Sequence, residues 1–252
     1  MLEPLGYVPK FPNLIMSVLL TYIVNLGIPR AGEVARATAL TKYEKVPFEK
    51  AFGTIVAERI ADAIMLAIIL SIAFLFQGPL ITSYLFNKDE ASDHGIYILV
   101  GLAVFGLISL LFVIKSQHPI AKKIKDFIIG LIDGAKSIFT MKRKWAFIFH
   151  TLFIWAMYML MFYAVTFALP ETTYLPFGAI IVGFVVGGIS MAITNGGLGA
   201  YPVAVAGALV LYNIDENAAN AFGWIMWTAQ TLMVLTFGGL SFLFLPLYNK
   251  EK

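Results

Sequence analysis

The sequence predicts an all-α, polytopic integral membrane protein with a re-entrant or discontinuous helix near its C-terminal third. Three observations carry that expectation. The 252 residues are 60% hydrophobic and 13% charged, more apolar than an ordinary soluble domain, and mean hydropathy is +0.83. Several apolar runs reach or approach the ~20 residues that a helix needs to cross a bilayer. The apolar stretch 177–212 is interrupted by Asn195-Gly-Gly-Leu-Gly-Ala-Tyr-Pro202, where glycines and a proline break a helix. A single transmembrane domain over 1–252 follows, with no soluble domain. The chain has no cysteine, so disulfide frameworks, thiolate metal sites and cysteine nucleophiles are excluded.

The first span, 13–29, is short and ends at Pro29. The following loop, 30–50, holds Arg30, Arg36, Lys42, Lys45 and Lys50 against Glu33, Glu44 and Glu49, which reads as cytoplasmic because Lys and Arg are retained on that side. The second span, 51–77, is long enough to cross, and its first half carries Glu58, Arg59 and Asp62. Residues 78–94 contain one lysine against Asp89, Glu90 and Asp93 and are placed outside. Residues 95–114 form an apolar span without an ionisable side chain.

Segment 115–144 is the most basic, with Lys115, Lys122, Lys123, Lys125, Lys136, Lys142, Arg143 and Lys144. Apolar residues recur in it at helical spacing. A cytoplasmic amphipathic helix on the membrane surface is expected. The span 145–169 leads outward and 177–194 leads inward to the broken helix 195–212. Residues 203–212 rise only about 15 Å as a helix and cannot cross alone. Residues 213–220 are an external loop, and 221–247 returns the C-terminus to the cytoplasm. Gly183 and Gly187 form a small-xxx-small pair that suits close helix packing.

The candidate site residues fall in three groups. In the first, Pro29 can open a helix, which would set Arg30, Glu33 and Arg36 on one face as a cation, anion, cation ladder. Among small neighbours such as Gly32 and Ala35, that ladder suits close helix approach as well as a solvated helix start. The second is Glu58-Arg59-Ile60-Ala61-Asp62, where Glu58 and Asp62 are four residues apart and Arg59 and Asp62 three, so two carboxylates share one guanidinium and the ladder's arginines could neutralise the surplus carboxylate. Counted from Asp62 to Gln77, the remaining helix is only about 22 Å long, so these charges are expected within the bilayer boundary, as a structural ion-pair network or as a substrate or proton site. The third is the break itself, Asn195, Gly196, Gly197 and Gly199. Non-helical backbone at membrane depth is tolerated when it is buried or lines a cavity, and the half-helix that follows would aim backbone donors at an anion there. His94, His118 and His150 lack metal-ligand spacing, and neither a P-loop nor a dinucleotide glycine pattern occurs. No catalytic residue, metal or cofactor is therefore expected, and the small net charge of +3 does not suggest nucleic acid.

Taken together, "NLGIPRAGEVARA", "GTIVAERIAD" and "NGGLGAYP" resemble the lysylphosphatidylglycerol synthase transmembrane-region family, also described as flippase-like membrane proteins. The family pattern of asparagine, proline, arginine, glycine, glutamate and arginine falls on Asn25, Pro29, Arg30, Gly32, Glu33 and Arg36, and its next charged group on Glu58, Arg59 and Asp62. Two departures are visible: Asn195 stands where many relatives have proline, and Pro202 where they have an acidic residue. The chain also begins where relatives have already made two membrane crossings, so those first two helices are expected to be missing.

The resemblance implies a bacterial-type plasma-membrane protein that handles lipid. It implies a phospholipid as ligand, and a separate synthase or a second copy of the chain as partner. The leading expectation is a non-enzymatic flippase or lipid-binding protein for an anionic glycero- or polyprenyl-phospholipid headgroup. Arg30, Arg36 and Arg59 would hold the phosphate, and Glu33, Glu58 and Asp62 would orient them. The alternatives are a membrane-embedded transferase on a polyprenyl-phosphate, an ion-coupled transporter of a small solute, and a structural partner without transport activity.

Overall fold

The computed structural model describes residues 1–86 and 142–250. The expected span 95–114 and segment 115–144, apart from its last three residues, lie outside the described residues. Within them the chain is helical, without strands.

Helices α1 (Phe11–Gly27) and α2 (Gly32–Glu44) form an antiparallel hairpin. Asn25 in the last turn of α1 meets Gly32 at the start of α2, and Asn13 at the start of α1 meets Glu44 at the end of α2. Lys45 closes α2 in the left-handed region, at φ 57°. Helix α3 (Phe48–Phe86) then packs on α2 through Ala37, Leu40, Val46, Ala51 and Ile55. It kinks at Gln77 (φ −130°, ψ 18°), two residues before Pro79. The proline removes one backbone donor and crowds the preceding turn.

Helix α4 (Lys144–Val165) runs into short 3₁₀ turns at Thr166–Ala168 and Pro170–Thr172. Helices α5 (Phe177–Ile193) and α6 (Ala200–Val210) flank the glycine break. Helix α7 (Glu216–Met233) starts at the N-cap Asp215, whose Oδ1 accepts from Asn217 N and Ala218 N, satisfying donors that a helix start leaves open. A five-residue π-helix, Val234–Gly238, joins α7 to α8 (Gly239–Tyr248).

Among the described residues, three stretches are long and apolar enough to cross a membrane: Phe48–Leu80, Lys144–Ala168 and Glu216–Tyr248. Their exposed faces are themselves apolar, for example Leu152, Phe153, Phe242 and Leu243, as lipid-facing surfaces should be. One core joins α4 to α7 around Phe162, Tyr201, Val205, Leu209 and Phe222. A second seats Ile69 and Ala73 of α3 against Ile181, Val182 and Val185 of α5. The small-xxx-small pair does pack closely, since Gly183 lies under the Phe162 ring and Gly187 under Tyr201 and Val205.

Three boundaries differ from the sequence reading. Pro29 does not open a helix. It sits in a turn from Ile28 to Ala31, closed by Ala31 N donating to Ile28 O at 3.2 Å, and α2 begins at Gly32 because Asn25 Oδ1 accepts from the Gly32 N–H at 2.7 Å. Helix α3 continues past Gln77 to Phe86, so the segment expected as a loop from residue 78 starts as helix. Helix α7 begins at Glu216, inside the expected loop 213–220, because Asp215 caps it.

Candidate functional site

The site is built around the turn that joins α1 to α2. Proline at its second position fixes φ near −65°, and the third residue, Arg30, is left-handed at φ 61°. Few residues other than glycine adopt that region, and one held there against its preference marks a place to look for function. Arg30 is consequently off the α2 face, so the expected ladder is interrupted: Glu33 and Arg36 lie on α2 and Arg30 in the turn. Glu33 instead faces Asn25, whose Nδ2 donates to Glu33 Oε2 at 3.4 Å. As the acidic residue of the first turn, it also suits the positive end of the α2 dipole.

Arg36 crosses to α3 rather than staying with its own helix. Its Nη1 and Nη2 donate to Glu58 Oε2 and Oε1 at 2.6 and 3.2 Å. The two side chains are only 14% and 28% exposed. This paired fork is the strong form of an arginine–carboxylate contact, and it locks α2 onto α3. Arg59 pairs with Asp62 at 3.2 Å, with the side chains 54% and 37% exposed, and Trp155 Nε1 of α4 donates to the same carboxylate at 3.3 Å. Glu58, Arg59 and Asp62 thus divide between two different contacts, one inside the helix interface and one open.

An open cleft of about 350 Å³ lies between α2 and α3 and is lined by Arg30, Glu33, Val34, Phe52, Ile55, Val56 and Arg59. The lining combines two arginines and one glutamate with an apolar wall of valine, isoleucine and phenylalanine. Arg30 has no hydrogen bond or ion pair among the described residues, and Arg59 has only the open ion pair with Asp62, which leaves its five N–H donors available to a ligand. The arrangement can take an anion at the arginines while an apolar group lies along the valine and phenylalanine wall.

Helix α3 runs on past Gln77 to Phe86, and Glu58, Arg59 and Asp62 lie in the first half of the apolar stretch Phe48–Leu80 that is long enough to cross a membrane. Their pairing and the cleft fix how the three side chains are used.

The glycine break occupies residues 194–199, with Gly196, Gly197 and Gly199 at φ 67°, 71° and 72°. A side chain at any of them would be strained in this left-handed region. Asn195 Nδ2 donates to Leu26 O at 3.2 Å, and Trp227 Nε1 of α7 donates to Gly196 O at 2.8 Å. The break therefore packs on the last turn of α1, behind Arg30, and does not line the cleft. The start of α6 has few free donors to offer an anion, because Tyr201 N bonds Gly197 O at 2.8 Å and Pro202 has no N–H.

The structure thus brings Arg30, Glu33 and Arg59 into one cleft. Arg36 with Glu58 stands behind it, Asp62 beside it, and Asn195 to Gly199 across the end of α1. Sequence reasoning missed the cleft's apolar wall and Trp155, whose places follow only from how α2 and α4 lie against α3. It also missed the buried amide pair Asn13 and Asn249, whose side chains exchange hydrogen bonds at 3.0 and 2.9 Å. An asparagine opening an apolar run was the available signal for Asn13.

The family described as the lysylphosphatidylglycerol synthase TM region matches the chain over residues 1–239. The chain belongs to that family. It is also similar to a UPF0104 membrane protein of Methanocaldococcus jannaschii, 25% identical over 251 residues, covering 86% of this chain and 70% of that one. No solved structure matches it. As a member of the lysylphosphatidylglycerol synthase TM region family with long apolar helices, it is a membrane protein of a family suggestive of a lipid-related role.

Proposed function

We propose that the protein binds the phosphate of an anionic phospholipid in the α2–α3 cleft and moves that headgroup between leaflets, as a flippase-like protein without chemistry of its own. One observation carries the reading. The cleft joins two guanidinium groups, Arg30 and Arg59, to an apolar wall formed by Val34, Phe52, Ile55 and Val56, and a lipid has the same two-part character. Arginine suits the phosphate end because its planar fork meets phosphate oxygens in pairs. Glu33 and Asp62 limit the positive charge of the empty cleft and orient the arginines. Arg36 and Glu58 fix the two helices that form it, and the glycine break supports the turn from behind. On this reading the basic loops 30–50 and 115–144 face the cytoplasm, the membrane is the cell membrane, and a separate lipid-modifying synthase or a second copy of the chain is the partner.

The test is a leaflet-resolved assay in proteoliposomes, following a fluorescent phosphatidylglycerol with a membrane-impermeant quencher. Arg30→Ala and Arg59→Ala are each expected to slow transfer at least tenfold relative to wild type, with Lys50→Ala, on another face of α3, unchanged. Equal rates in all four proteins would remove the cleft from the mechanism.

A further inference from the structure

The turn that carries Arg30 is held from two sides by side-chain amides that neither belong to it nor reach the cleft. On one side Asn25 accepts from Gly32 N at 2.7 Å and donates to Glu33 Oε2 at 3.4 Å, fixing where the turn ends and α2 begins. The fit is tight there, because a Cβ on Gly32 would come within 2.2 Å of Thr21 O and 2.8 Å of the Asn25 side chain. On the other side Asn195 donates to Leu26 O at 3.2 Å, in the last turn of α1, and a Cβ on Gly196 would lie 3.0 Å from Leu26 Cδ1. Trp227 secures that support by donating to Gly196 O at 2.8 Å. Between these two supports Arg30 sits at φ 61°, a conformation that an arginine leaves once it is free to do so.

We propose that Asn25 and Asn195 are positioning residues for Arg30: their amides hold the Ile28–Ala31 turn in its left-handed form and so keep the guanidinium in the cleft. This rests on the reading of the cleft as a phosphate site and assigns Asn195 to Arg30 rather than to the lipid. It also gives the break between α5 and α6 a task, since Asn195 and Gly196 carry the position of α7 to the α1–α2 turn.

The absence of cysteine from the chain makes a direct test possible. A nitroxide on Arg30→Cys reports the order of the turn in the full-length protein in phosphatidylcholine nanodiscs, and a label on Tyr174→Cys, 94% exposed, serves as control. Adding Asn25→Ala or Asn195→Ala should shorten the correlation time at position 30 severalfold and leave position 174 unchanged. Unchanged spectra at 30 in both variants, or equal changes at 174, would overturn the proposal.

A second measurement uses Arg30 itself and the affinity for fluorescent phosphatidylglycerol in the same nanodiscs. Arg30→Ala and Asn25→Ala should each weaken binding about tenfold, and the double variant should bind no worse than Arg30→Ala alone. Fully additive losses would show that Asn25 acts other than through Arg30. If the label at 30 loosens while Arg30→Ala leaves affinity unchanged, the positioning role stands and the phosphate reading of the cleft fails.

Discussion

At the scale of single residues, the two ion pairs of α3 differ in what they do. Arg36 and Glu58 meet as a paired fork within the α2–α3 interface, and removing one partner leaves the other charged, poorly solvated and alone. Glu58→Ala is expected to cost about 2–3 kcal/mol of stability, toward the lower end for a buried pair because the carboxylate keeps some exposure. Arg59→Ala should cost at most ~1 kcal/mol, since its pair with Asp62 is open and screened. Thermal unfolding in detergent followed by tryptophan fluorescence separates the two, and equal losses would contradict the division into a structural and a ligand-facing pair. The identities of these residues were legible in the sequence as charges beside apolar runs. Their pairing was legible in part: Arg59 stands three residues before Asp62, and an arginine of the ladder was expected against the surplus carboxylate, but spacing alone did not say that Arg36 would be the one to meet Glu58. The partners come from tertiary structure: α2 folds back along α3 and carries Arg36 across to Glu58, while the α1–α2 turn sets Arg30 apart.

At the scale of elements, the glycines of the C-terminal half divide into those that a neighbour needs and those that it does not. A Cβ on Gly223 of α7 would lie 2.6 Å from Pro202 O of α6, backbone that cannot yield cheaply. Gly223→Ala should therefore destabilise by roughly 1–3 kcal/mol as an overpacked contact. Gly188 of α5 faces open space, and Gly188→Ala should be neutral or stabilise by up to about 1 kcal/mol through helix propensity. The reverse order in a thermal melt would show that α6 and α7 do not pack as described. Element existence was readable from apolar runs, and the break at 195–199 from its glycines. The start of α2 and the continuation of α3 were not, because one depends on the Asn25 side chain seven residues back and the other on a kink that bends the helix at Gln77 without ending it.

At the scale of the whole molecule, the two ends of the described chain are tied together. Asn13 and Asn249 exchange side-chain hydrogen bonds, Asn13 also donates to Glu44, and Asn249 Nδ2 donates to Leu245 O at 2.8 Å. Both asparagines are buried, at 1% and 8% exposure. Asn13→Ala would leave a buried amide and a carboxylate short of a partner, with an expected loss of about 2 kcal/mol; a melt identical to wild type would show that water replaces the contact. This tie, together with the α3–α5 core, holds the hairpin that forms the cleft against the remaining helices. The cleft is then a fixed feature of one face of α3, while another face, around Lys50, Gly53 and Ala57, borders a separate groove. The central claim is tested most directly by mapping where the lipid lands. A phosphatidylglycerol analogue with a photoreactive group near the start of its acyl chain, reconstituted with the full chain and analysed by peptide mass spectrometry, should attach at Val34, Phe52 and Val56. Those adducts should fall sharply in the Arg30→Ala, Arg59→Ala double variant. Adducts concentrated on Lys50, Gly53 and Ala57, or unaffected by loss of the two arginines, would contradict the account.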